Sequence, residues 1–405
     1  MAPPFNRRRN ITPLFLLASA FISTLLLPAR SNAMPVFARQ FGVKCSTCHS
    51  PVPPRLNNLG IVFKRMGYRM PDADDAGRLI LTNKPSRSAF DDLSLIGDVR
   101  GVSQRGEPFA FMLDEAEAMG AGSLNNRLSY ALQAAYEDGV AAVEVFEGHL
   151  LLGRPTANVT ARFGLLAPLL WDKGNTIRLT VSRPLLIDSR VRVGEFSGFR
   201  WRQKQPGAEV GVNLNRLGEG GALRSTFVSL GVFNGLSQGE DGLSSEENND
   251  FKDVMFQTTH LWGESNTVGF MYYRGKATDI GARAFDDRIE RWAVLGNYRL
   301  PTQTDFVAGV GSGRDTTTVS QIGRVRSRGW FLEVDQAIGA ETVAALRYDR
   351  FEPDRAAATR DVRGPTLSVT HHLFDNLLLT AEYRGLRTGD KDRGRQVVFR
   401  AMVIY

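Results

Sequence analysis

The chain has 405 residues, a mean hydropathy of −0.20, 42% hydrophobic and 23% charged residues, and a formal net charge of +7. A single apolar run at the N-terminus excludes a polytopic helical membrane protein, which needs several runs of about 20 apolar residues, and the charge and aromatic content exclude bulk disorder. Two cysteines exclude a disulfide framework, while 40 glycines lean toward turns and strands.

In chain order, Arg7, Arg8 and Arg9 precede an apolar stretch from Ile11 to Leu27, and Ser31-Asn32-Ala33 supplies a small-residue cleavage site. This is the pattern of a secretory signal over residues 1–33. A membrane anchor is the alternative, disfavoured by the short core and Pro13. Removing residues 1–33 takes away four arginines and no acid, so the net charge falls from +7 to +3. The basic balance belongs largely to the removed part, and no nucleic-acid partner is expected.

Both cysteines lie in Cys45-Ser46-Thr47-Cys48-His49. C-x-x-C-H is the attachment pattern of a c-type haem. Two thiols three residues apart on one turn face the same way and can bond both vinyl groups of one haem, and His49 is then placed as proximal iron ligand. Three alternatives compete. A redox dithiol needs no histidine here, a Cys45–Cys48 disulfide closes a tight loop, and a zinc site lacks a second ligand pair. Apolar residues at 56, 59, 62, 63 and 66 mark one face of a short helix ended by Gly67-Tyr68, with Phe37, Phe41 and Val43 ahead of the motif. A haem-binding segment over 34–88 follows. For the distal position Met70 leads, with Met66, His372 or an open iron as alternatives.

From 93 to 405 helical periodicity gives way to segments of about ten residues that alternate apolar and polar. Sixteen strands are expected, beginning near residues 94, 108, 128, 141, 157, 207, 222, 250, 266, 287, 304, 326, 341, 361, 376 and 393. Trp292, Val294, Gly296 and Tyr298 share a face opposite Arg291 and Asn297, and Glu333 and Asp335 share a face away from Leu332 and Val334. Connections alternate short and long, with short turns at 218–221, 263–266, 301–304, 338–340 and 374–376. This predicts an all-β fold, an antiparallel transmembrane barrel with a wet, charged lumen and the α-helical haem segment entering from the short-turn, periplasmic side. A soluble sandwich or propeller is the competing architecture.

The longest connection, 170–205, is basic and is either a solvated loop or one folded into the lumen. The 236–250 loop is acidic and reads as solvated. Of the remaining histidines, His149, His260, His371 and His372, alternation places His260 outward beside Trp262 and His372 inward with Ser368 and Thr370. No nucleophile triad, phosphate loop or paired carboxylate signature stands out.

A signal peptide, one C-x-x-C-H and a sixteen-strand barrel together resemble the fused monohaem cytochrome–porins of iron-oxidising bacteria. The likeness is closest from Pro35 through His49 and on through Leu59-Gly60 to Gly67-Tyr68. The resemblance implies one haem c held by Cys45 and Cys48 and ligated by His49, in an outer-membrane protein surrounded by lipid. It implies electron transfer from extracellular Fe(II) to a periplasmic c-type cytochrome. No distal ligand carries over, so Met70 rests on the local reading alone. The competing functions are a diffusion porin with a haem-bearing plug or gate, and electron export to extracellular acceptors.

Overall fold

The computed structural model describes residues 36–50, 53, 55–84, 93–104, 106–137, 140–166, 179–193, 196–197, 199–218, 222–235, 250–279, 285–317, 323–356, 360–374, 376–389 and 391–404. The expected signal over 1–33 lies outside them, as does the acidic loop except Asp250.

An N-terminal segment comes first. It holds helix α1 (Val36–Phe41), a 3₁₀ turn (Cys45–Thr47), helix α2 (Asn58–Arg65) and a hairpin of β1 (Met70–Ala73) with β2 (Leu79–Thr82). Five wall strands follow: β3 (Leu93–Gln104), β4 (Ala110–Ser123), β5 (Leu128–Glu137), β6 (Val140–Arg154) and β7 (Ala157–Leu166). A long connection carries helix α3 (Leu185–Asp188) and the small pair β8 (Arg192–Val193) and β9 (Phe196–Ser197). Eleven more wall strands complete the chain: β10 (Gln205–Leu217), β11 (Leu223–Phe233), β12 (Asp253–Trp262), β13 (Asn266–Asp279), β14 (Phe285–Arg299), β15 (Thr304–Thr317), β16 (Arg324–Ile338), β17 (Thr342–Glu352), β18 (Val362–Phe374), β19 (Leu377–Thr388) and β20 (Lys391–Ile404).

The sixteen strands β3–β7 and β10–β20 form one closed antiparallel barrel. Each pairs with its sequence neighbours except at two seams, where β20 closes on β3 with Arg400 opposite Arg100, and β7 meets β10 with Gly164 opposite Gly207. Every strand begins within about three residues of its expected start. Closure leaves no strand edge, the condition for a sheet in lipid.

Alternation decides the two faces. On β14 Trp292 and Tyr298 are 40% and 52% exposed while Arg291, Ala293 and Asn297 on the other face are buried. Leu332, Leu346, Leu367 and Phe399 continue the exposed apolar belt on other strands. An apolar belt of this kind outside a polar interior is the surface a bilayer covers.

The lumen departs from the wet interior expected. The 170–205 connection, described from residue 179, folds inward. Leu185, Leu186, Ile187, Phe199 and Trp201 pack with Met255, Tyr273, Ile289, Phe331 and Phe351 of the wall in one buried cluster. Phe199 lies 4.6 Å from the Tyr273 ring and 5.7 Å from the Arg291 guanidinium. The apolar residues inside this basic loop need cover, and the wall supplies it.

The two-face reading gives a direct expectation. Val294→Arg, on the lipid side between Trp292 and Tyr298, should destabilise the barrel by about 2–4 kcal/mol. Denaturant unfolding of vesicle-inserted protein measures it.

Candidate functional site

The 3₁₀ turn places the motif. The amides of Cys48 and His49 both donate to the Cys45 carbonyl, at 3.1 and 3.0 Å, so the two thiols sit on one tight turn. They are not bonded to each other, and both are partly exposed. Asn57 fastens this turn to α2 in three ways. Its amide donates to the Cys48 carbonyl at 2.9 Å, its Nδ2 donates to the Thr47 carbonyl at 2.9 Å, and its Oδ1 accepts from the Gly60 amide at 2.9 Å, capping the helix. A Cβ at Gly60 would collide with the Cys48 carbonyl oxygen, so only glycine lets the helix approach this closely.

Burial, and next the neighbouring Cys45, push the Cys48 thiol up to about 11. A thiol held this high is a weak nucleophile at neutral pH. Cys48 packs instead against an apolar group containing Phe37, Phe41, Val43, Leu59, Phe63 and Met70. Two unbonded thiols on one turn, an imidazole at the next position and an apolar bed beside them fit a covalently held haem. Cys45 and Cys48 would hold it and His49 would ligate it. Such a group supplies a one-electron iron couple.

The sequence candidates for the distal position fall in different places. Met70, which opens β1, is 8% exposed and shares its cluster with Cys48. Met66 is fully buried in another cluster, with Ile61, Val62, Leu151, Leu223 and Leu261. Its sulfur accepts from Asn158 Nδ2 at 3.3 Å. His372 lies at the end of β18, four strands round the wall from β4, and its amide donates to Glu341. His260 faces outward, stacked on Trp262 at 5.7 Å. His149 is buried on the inner wall, 5.5 Å from the Tyr68 ring and 3.1 Å from a Glu147 oxygen.

The whole segment is seated inside the short-turn mouth of the barrel. Asn58 Nδ2 donates to the carbonyls of Trp262, Gly263 and Asn266, and its amide donates to Glu264, all at the β12–β13 turn. Arg69 donates to the carbonyls of Asn125 and Leu128 at the β4–β5 turn, at 2.7 and 3.1 Å. On the opposite wall Arg55 is 1% exposed and meets three carboxylates: Asp335 at 2.5 Å, Glu333 at 2.7 Å and Asp305 at 3.8 Å.

Glu333 has a second role. One of its oxygens takes Arg55, while the other accepts from Arg347 at 3.2 Å. Arg347, fully buried on β17, also donates to the carbonyls of Ser182 and Arg183, and pairs with Asp349 at 2.7 Å. Asp349 in turn accepts from the Leu185 amide at 2.9 Å, and Glu382 accepts from the amides of Val181 and Ser182. One buried carboxylate therefore ties the N-terminal segment at the mouth to the connection folded into the lumen. The sequence placed Glu333 and Asp335 inward but gave no sign that Arg55, 278 positions away, is their partner.

No protein-family description matches the chain, and no curated protein does. Solved structures do. The chain is similar to an anion-selective porin from Comamonas acidovorans at 10% identity and a TM-score of 0.52, over 77% of this chain and 98% of that one. It is also similar to OmpF of Salmonella typhi at 11% identity and a TM-score of 0.54, over 78% and 97%. OmpT of Vibrio cholerae, in a loop-deletion form, matches at 12% identity and a TM-score of 0.50, over 78% and 98%. At these identities the likeness is one of fold: the sixteen-strand porin barrel.

Arg55→Ala leaves Asp335 buried without its cation, while Glu333 keeps Arg347 and Asp305 keeps Arg299; removing one partner of a buried pair costs about 3–5 kcal/mol. The expected result is release of residues 36–82 with the barrel intact, read as faster amide exchange in α2 and unchanged strand protection. Glu333→Gln should speed exchange in α2 and at residues 179–188 together.

Proposed function

We propose that this chain is an outer-membrane barrel whose N-terminal segment carries one covalent haem c in the periplasmic mouth and passes single electrons across the membrane. The donor is extracellular Fe(II) and the acceptor a periplasmic c-type cytochrome. The observation that carries the reading is the fastening of the C-x-x-C-H turn, through Asn57 and Gly60, to a helix seated within the barrel wall. Two features far apart in character, a thiol–imidazole turn and a membrane wall, occupy one end of one cylinder.

Short turns of such barrels face the periplasm and longer loops face outward. The motif then lies where a periplasmic protein can approach, while the inward connection occupies the lumen above it. An electron needs no open channel, and a hydrocarbon core of about 30 Å is a long gap to cross without a carrier inside it. A lumen narrowed by the apolar cluster around Phe199 and locked by Arg55 and Arg347 suits that task better than solute flow. In this arrangement Cys45 and Cys48 hold the group, His49 supplies the proximal nitrogen, and Met70 is placed on the same apolar side. A thioether there raises the reduction potential.

The second reading is a diffusion porin in which the segment plugs the mouth. It is favoured by the fold shared with the anion-selective porin and OmpF. Outer membranes and vesicles carrying the full-length holoprotein separate the two. On the electron-transfer reading Fe(II) develops the reduced α-band in outer membranes to the extent dithionite does, and vesicles containing the protein admit little small solute. An α-band raised by dithionite but never by Fe(II), with solute entry that rises in Arg55→Ala, leaves the porin reading. Met70→Ala should lower the haem potential in a spectroelectrochemical titration; an unchanged potential removes Met70 from the iron.

A further inference from the structure

On the long-loop half of β13–β16 the lipid-facing side chains change abruptly from apolar to basic. Tyr272 and Trp292 are register partners and form an aromatic row. The next outward row pairs Arg274 with Glu290 and Glu290 with Arg314, and the row beyond it pairs Lys276 with Arg288. These positions continue the same alternation as Tyr272, Trp292 and Tyr298, so they face away from the lumen, and Arg274, Arg288 and Arg314 are exposed. A cavity of about 680 Å³ opens among them and is bordered by Asp250 and Phe251.

Among the described residues the charge of this cavity is unbalanced, with four cations lining it against two carboxylates, Asp250 and Glu290. Lys276 is satisfied by Asp286 at 2.9 Å and Arg314 reaches Glu290 at 3.7 Å. Among the described residues, Arg274 and Arg288 have no carboxylate within 4.0 Å.

Height along the barrel says what meets these cations. Tyr298 is the aromatic residue near the other end of β14. Ten residues separate it from Arg288, and at ~3.4 Å per residue and a tilt of about 35–45° that is roughly 24–28 Å of barrel height. The apolar band of such barrels is about 25 Å tall. Arg288 therefore stands where hydrocarbon gives way to lipid head groups, at the end that carries the long loops.

We propose that this outward groove binds the phosphate groups of a phosphorylated glycolipid of the outer leaflet, with Arg274 and Arg288 as the principal cations. The inference rests on the outer-membrane orientation proposed above and is independent of the haem. A lipid is favoured over a soluble anion because the groove opens sideways above Tyr272, Phe270 and Val268, a continuous apolar strip that acyl chains cover.

The test uses delipidated full-length protein in non-ionic detergent, native mass spectrometry, and three probes: a diphosphoryl acylated glycolipid, its dephosphorylated form, and inorganic phosphate. The expected result is retention of the diphosphoryl form and at least tenfold weaker retention of the dephosphorylated one. Arg274→Gln with Arg288→Gln should weaken it about thirtyfold, at roughly a decade and a half for two near-surface cations. Equal retention of the dephosphorylated lipid, displacement by inorganic phosphate at equal concentration, or undiminished binding by a folded double variant would overturn the proposal. If the double variant does not fold, the lipid comparison on the unaltered chain still decides. Haem absorbance is not read, so failure here is separate from failure of the electron-transfer reading.

Discussion

Everything in this molecule follows from the requirement that a sheet exposed to hydrocarbon leave no backbone donor or acceptor unpaired. The sixteen strands meet it by closing, β20 on β3 and β7 on β10. Closure fixes alternation: each residue that serves the lipid face forces its neighbours inward, into a space of limited width. Polar groups placed there lose water, and each must find a partner or cost free energy.

The interior is built to answer that demand. Asp305, Glu333 and Asp335 stand close together on β15 and β16, almost fully buried. A cluster of carboxylates in such a place calls for cations, and they come from two sources: Arg299 and Arg347 in the wall and Arg55 from outside it. Elsewhere the wall leaves apolar patches around Met255, Ile289 and Phe331, and the inward connection covers them with Leu186, Phe199 and Trp201. Wall and inserts are thus complementary in charge and in polarity, and neither composition makes physical sense without the other.

Much of this was legible in the sequence because a period of two is a direct imprint of a two-faced wall. Trp292 to Tyr298 shows it, and the strand starts follow from it. The C-x-x-C-H spacing was legible for a similar reason, since it is a local geometric demand. The hairpin of Met70–Ala73 with Leu79–Thr82 was not foreseen, because four-residue strands are too short to show a period. The fate of the long connection stayed open, since a solvated loop and an inserted one are equally basic; only Leu185-Leu186-Ile187, Phe199 and Trp201 carry a signal for insertion. The seat of the N-terminal segment was invisible. Arg55 and Asn58 find their partners across more than 200 positions of chain, and no local pattern encodes such a pairing.

The shared carboxylate of Glu333 has a consequence in time. Its partner Arg55 precedes every wall strand, yet the anchoring groups Asp305, Glu333 and Asp335 belong to the eleventh and twelfth of the sixteen. The Arg55 anchor of a segment that comes first in the chain therefore cannot form until those two late strands are in place. Which strand holds Arg55 thus decides when that anchor can form.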